Sequence, residues 1–280
     1  MSTMILLSQT TPIASAFTIN SFDNIGEIRT NLPETKEVMS CVNDSEGEHM
    51  DSVELFVKKY FDGETKQISV SNHNFYSNKN VSELLTCDVI NFSIGTIPLF
   101  FGHEDRAKKI EQFKEDEYYN INHFLDTYEG FIIAAAGNED DDTTFSSPIS
   151  RYKEKSKALE ADEEDKLNRL IVVGQIEKLE DGKYKHHYSH GDEIDFFVPN
   201  YNEDILNYKK DFTGTSFASP VVSGLISQLL KSGIPTEDIR NVLGFEDEMH
   251  YYKGKSHKVL SVTKTIENAY SYHQNKSSLN

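Results

Sequence analysis

Short runs of β-branched and aromatic residues alternate along the chain with stretches whose apolar positions recur every three or four residues. "ASAFTIN" (14–20) and "KEVMSCV" (36–42) read as extended segments. "MDSVELFVKKYF" carries Val53, Phe56, Val57 and Tyr60 at helical spacing. Then come "KQISVSN", a short helix candidate "NVSELLT", and the strand "CDVINFSIG". Helical "YYNINHFLDTYEG" leads into "FIIAAAG", with "LNRLIVVG" and "EIDFFVP" further on. The runs Asp88 to Ile94 and Phe131 to Ala136 are apolar without alternation, which predicts central parallel strands covered on both faces. Strand–helix alternation of this kind predicts an α/β fold, with a mostly parallel sheet and helices on both sides. In "IPTEDIRNVLG", Thr236 reads as an N-cap with acids in the first turn. Two stretches break the rhythm, 103–118 and 151–169, both dense in mixed charge, and they read as solvated helix or loop insertions. No internal repeat and no interdomain linker is visible, so residues 1–280 read as a single domain.

Near the C-terminal end, "FTGTSFASPVVSGLISQLL" places Ser216 between Gly214-Thr215 and a long apolar helix that has Pro220 just inside it. As structure alone this is a turn with a capping hydroxyl before a buried helix. As chemistry it is a hydroxyl held at the positive end of a helix, where unpaired N–H groups favour a developing oxyanion. Pro220 lies early enough in the helix for its missing N–H to do least harm. The small side chains of Ala218, Ser219 and Ser223, with Gly224, allow close passage over a sheet.

Composition narrows the partners. The net charge of −18 argues against a nucleic-acid surface and suits a cationic substrate or simple solubility. No apolar run reaches the length of a membrane span. The start "MSTMILLSQTTPIASAFTIN" has no basic region before its apolar residues, which makes it a poor secretory signal. Two cysteines, Cys41 and Cys87, make no disulfide framework, and free thiols in a reducing compartment are expected. These features together predict a cytoplasmic protein.

"GTSFASPVVSG" resembles the nucleophile motif of subtilisin-like serine proteases, Gly-Thr-Ser-x-Ala-x-Pro, at Gly214, Thr215, Ser216, Ala218 and Pro220. Other landmarks follow the family's order. "CDVINFSIG" is similar to the substrate-binding strand, with Ser93, Ile94 and Gly95 as its binding segment. "FIIAAAGNED" is similar to the strand that ends in the oxyanion-hole asparagine, here Asn138. "LIVVGQI", "SHGDEIDFFVPN" and "YYKGKSHKVLSVTKTIENA" resemble later segments of the same fold, so the likeness runs over most of the chain. It implies a three-layer subtilisin-like domain and a serine endopeptidase without a cofactor, acting on a peptide or protein.

The resemblance also assigns roles. Ser216 is the nucleophile, Asn138 an oxyanion donor, and His49 in "EHMDSVELFV" the general base, although Met50, Asp51 and Ser52 depart from the family pattern. At the spacing where the family has its aspartate stands Asn20, at the end of "AFTIN". Asp23 and Asp44 are the alternatives, and Asp44 is close in sequence to His49. An asparagine there would hold the wrong imidazole tautomer, which lowers turnover by about 10⁴ in a different serine protease. The competing expectation is therefore a catalytically impaired relative that binds a peptide or protein partner in a retained groove.

Ser146 resembles the position at the floor of the primary side-chain pocket, implying a roomy, uncharged pocket. Glu139, Asp140, Asp141 and Asp142 follow Asn138 and read either as a solubilising loop or as an attraction for basic peptide segments. His186, His187 and His190 invite a metal reading, but no family landmark supports one, and no acidic loop matches a calcium site, so no metal is expected. The sequence carries no sign of the oligomeric state.

Overall fold

The computed structural model describes residues 32–69, 78–94, 106–138, 142–159, 163–179, 183–186, 190–199 and 213–278. The strands are β1 (Met39–Asp44), β2 (Glu64–Ser69), β3 (Val89–Phe92), β4 (Phe131–Ala135), β5 (Leu170–Lys178), β6 (Tyr184–His186), β7 (Phe196–Pro199), β8 (His250–Tyr252) and β9 (Lys255–His257). The helices are α1 (Glu48–Tyr60), α2 (Asn78–Leu84), α3 (Arg106–Leu125), α4 (Thr143–Ser146), α5 (Pro148–Ala158), α6 (Glu164–Asn168), α7 (Thr215–Lys231), α8 (Ile239–Val242) and α9 (Val262–Ser277).

The main sheet runs β2-β1-β3-β4-β5, all parallel, with β7 parallel and β6 antiparallel to β5. Alternate strand residues feed two apolar layers. Val42, Ile133 and Val173 face α1, α7 and α9, whereas Cys41, Ile132 and Val172 face α2, α3 and α5. This is the expected α/β architecture with helices on both faces, reached because parallel strands must be covered twice. Among the described residues no helix is long and apolar enough to cross a membrane.

The central element is α7, which is buried along almost its whole length. Its small residues let it press onto α1. A Cβ on Gly224 would stand 2.6 Å from the Val57 carbonyl oxygen and 2.9 Å from the Tyr60 Cβ, so only glycine fits this crossing.

The charged stretches differ from the reading as solvated insertions. Residues from Arg106 continue without a break into one helix, α3, because Glu, Lys and Gln are good helix formers and Tyr118, Ile121, Phe124 and Leu125 supply its buried stripe. In α5, Arg151 and Lys153 are buried. The Arg151 guanidinium grips Glu117 of α3 through Nε and through an Nη2–Oε1 bond of 3.0 Å, and donates from Nη1 to the Thr144 carbonyl at 3.1 Å. A bidentate, fully partnered pair of this kind can be buried where a lone charge cannot. The expectation of free thiols is also corrected. Cys41 of β1 and Cys87, two residues before β3, form a disulfide with a Cα–Cα distance of 5.9 Å.

Candidate active site

Strand register sets the level of the site. Asn43 pairs with Phe92, and Phe92 with Ala134, so Asp44, Ser93 and Ala135 leave the sheet side by side at its carboxyl edge. Open parallel sheets place their ligand crevice at that edge.

Asp44 closes β1 on the face that carries Val42, toward α1 and α7, and is only 2 % exposed. The chain then turns through Ser45, Glu46 and Gly47, whose φ of +114° favours glycine, and enters α1 at Glu48. That short turn brings His49 back over the strand end, and its Nδ1 lies 2.6 Å from Asp44 Oδ2. The other carboxylate oxygen, Oδ1, accepts the Ser45 N–H at 2.7 Å, which fixes the carboxyl plane. Hydrogen bonding to Asp44 raises the His49 pKa above its ordinary 6.5, against an opposing effect of partial burial. The His49 side chain is still 42 % exposed, so its outer edge meets solvent.

The group on Nδ1 is therefore Asp44, the alternative that closeness in sequence had counted against. Asn20 and Asp23 lie outside the described residues. Separation by five positions is no obstacle when a strand end and a helix start are joined by a glycine turn. The signal was present as Asp44-Ser45 at the end of the strand-like run "MSCVND", with Gly47 two residues on.

Ser216 is the second residue of α7 and 7 % exposed. Its Oγ donates to the Ser93 carbonyl at 3.2 Å. Ser93 Oγ donates in return to the Ser216 carbonyl at 3.1 Å, and it lies 2.7 Å from the Asn91 amide and 3.2 Å from Ser219 Oγ. Ser223 Oγ stands 3.1 Å from Asn91 Oδ1, completing a buried polar seam between β3 and α7. Asn91, Ser219 and Ser223 were missed in the sequence, where they look like ordinary strand and helix residues.

The next residue, Phe217, links α7 to the imidazole. Its ring centroid is 5.6 Å from that of His49 and 5.4 Å from that of Phe56.

Asn138 follows β4 by three residues. Its Oδ1 accepts from Thr215 N at 2.8 Å and from Thr215 Oγ1 at 3.1 Å, while Thr215 Oγ1 accepts from Gly137 N at 3.1 Å. With Oδ1 turned to α7, the amide's donor edge is on the opposite side. Phe217 N bonds back to the Gly214 carbonyl at 2.9 Å, and among the described residues no acceptor meets the Ser216 N–H. The Ser216 N–H and the Asn138 carboxamide thus both lie at the N-terminal end of α7.

Of the remaining expected residues, Ile94 is half-buried against the apolar layer beneath α3, and Ser146 ends α4. Gly95, Glu139, Asp140, Asp141 and His187 lie outside the described residues. Asp142 caps α4 by accepting from Thr144 N at 2.9 Å. His186 stacks on Tyr252 at 3.8 Å between centroids, and among the described residues no three His, Cys, Asp or Glu side chains are grouped to hold a metal ion.

The sequence profile of the Subtilase family matches residues 55–244, about two thirds of the chain. The matched span contains Ser93, Asn138 and Ser216 and begins beyond Asp44 and His49, which join the site through geometry alone. No curated protein matches the chain. With α7, Asn138 and the strands β2 to β7 all inside the matched span, this chain belongs to the subtilase family.

Proposed function

We propose that the chain is a serine endopeptidase that cleaves peptide bonds through an acyl-enzyme. The observation that carries this reading is the Asp44–His49 contact at 2.6 Å, on an imidazole packed beside the residue that follows Ser216. An aspartate on Nδ1 keeps the proton there, leaves Nε2 as the basic nitrogen, and stabilises the imidazolium that forms. Family membership supports peptidase chemistry independently.

In this reading an extended peptide lies along Ser93–Gly95. Ser216 Oγ leaves its bond to the Ser93 carbonyl, gives its proton to His49 Nε2 and attacks the scissile carbonyl. The oxyanion takes hydrogen bonds from the Ser216 N–H and the Asn138 amide, each worth about 3–4 kcal/mol in the transition state. His49 passes the proton to the leaving amine, and water then releases the acyl group by the same route in reverse. The overall negative charge would steer basic segments toward the cleft. The alternative of a groove without catalysis rested on Asn20 at the expected aspartate position and on the departures at Met50, Asp51 and Ser52; the Asp44 carboxylate beside His49 favours the peptidase over it.

A fluorophosphonate probe tests the proposal. The folded wild-type chain is expected to label, and Ser216→Ala to lose the label entirely. A wild type that stays unlabelled and cleaves no peptide would overturn it.

A further inference from the structure

We propose that Gln175 is a positioning residue for the nucleophile, a role that rests on the peptidase reading above: its side-chain oxygen anchors the turn that presents Ser216. Gln175 lies on β5 on the same face as Ile171 and Val173, which belong to the apolar layer under α7, and it is 2 % exposed. A carboxamide in such a layer is costly unless it is hydrogen-bonded. Its Oε1 accepts the Gly214 N–H at 2.6 Å.

Gly214 is a joint between several groups. It is buried, its φ is +123°, and a Cβ built on it would stand 3.3 Å from both Nδ2 and Oδ1 of Asn138. Its carbonyl accepts the Phe217 N–H, and the residue after it binds Asn138 through both N and Oγ1. A shift of Gly214 therefore moves the Asn138 amide and the Ser216 N–H together. The anchor sits on a central strand, β5, and the group it holds is the Gly214 N–H. Gln175 thus acts through the turn and not on the reaction itself.

The test uses Gln175→Met, which keeps the length and loses the acceptor oxygen, and Gln175→Glu, which keeps an oxygen in place. In the Met variant kcat and the rate of fluorophosphonate labelling should fall about tenfold, with KM within about twofold, and the Glu variant should recover most of the loss. Amide exchange at Gly214, read by NMR, should speed up in the Met variant while β5 and the rest of α7 keep their protection. An unchanged kcat, or unchanged protection at Gly214, overturns the proposal. So does a uniform loss of protection across the sheet, which would make Gln175 merely structural. A wild type inert to the probe, but with Gly214 exchange that depends on Gln175, would sink the peptidase reading and leave the anchor standing.

Discussion

His49 has to be held firmly on one edge and reachable on the other. Asp44 is almost wholly buried and meets Nδ1, while nearly half of the imidazole side chain stays open to solvent. Two outcomes are expected from this pair. Because Asp44 raises the His49 pKa, the neutral base is lost on acidification at a pH above the ordinary 6.5. The acid limb of kcat/KM should therefore have its midpoint above 6.5 in the wild type and move down in Asp44→Asn. Turnover in that variant should fall by about 10⁴, the scale set when an asparagine fixes the wrong tautomer. A pH–rate profile with a peptide substrate checks both. The residue that sequence reasoning set at this position was Asn20, because spacing to the histidine was weighed above local pattern. Spacing is a poor guide here, since a glycine turn closes the gap in three residues. A strand-like run that ends in Asp44-Ser45, with Gly47 to follow, was the better signal.

At the scale of elements, the parallel strands and α7 were legible because their apolar runs are long and their punctuation is strong. The charged helix α5 and the first half of α3 were not. Their burial depends on ion pairs such as Arg151–Glu117, and nothing in a run of mixed charge says which partner lies across the interface. The histidines of the β8–β9 hairpin are a similar case. His250 is 4 % exposed, its Nε2 has no hydrogen-bond partner, and its ring stacks with His186 and packs against Phe197. Burial, with His186 and His257 nearby, pushes its pKa down to about 4. The unfolded chain, with an ordinary histidine pKa, takes up that proton first as pH falls. Stability should therefore decline between pH 6.5 and about 4 and level off below, with a loss on the order of 2–3 kcal/mol. Urea unfolding at stepped pH measures this. His250→Phe should flatten that part of the curve, and an unchanged slope would rule out His250 as its source.

Among the described residues a seven-stranded sheet lies between two helical layers, tied by a covalent bond that composition argued against. Two cysteines are too few for a disulfide framework and predict thiols, and only the fold shows that β1 and the approach to β3 bring them within bonding reach. The Cys41–Cys87 bridge spans 46 positions, and closing such a loop stabilises by about 2–4 kcal/mol. Dithiothreitol should accordingly lower the thermal midpoint by several degrees, and Cys41→Ala with Cys87→Ala should match the reduced protein. Everything between the two sulfurs, the helix that carries His49 included, is a closed ring. A backbone cut anywhere inside it would leave the fragments joined to the same body. A peptidase that nicked itself there would still migrate as one piece until its sulfurs were parted.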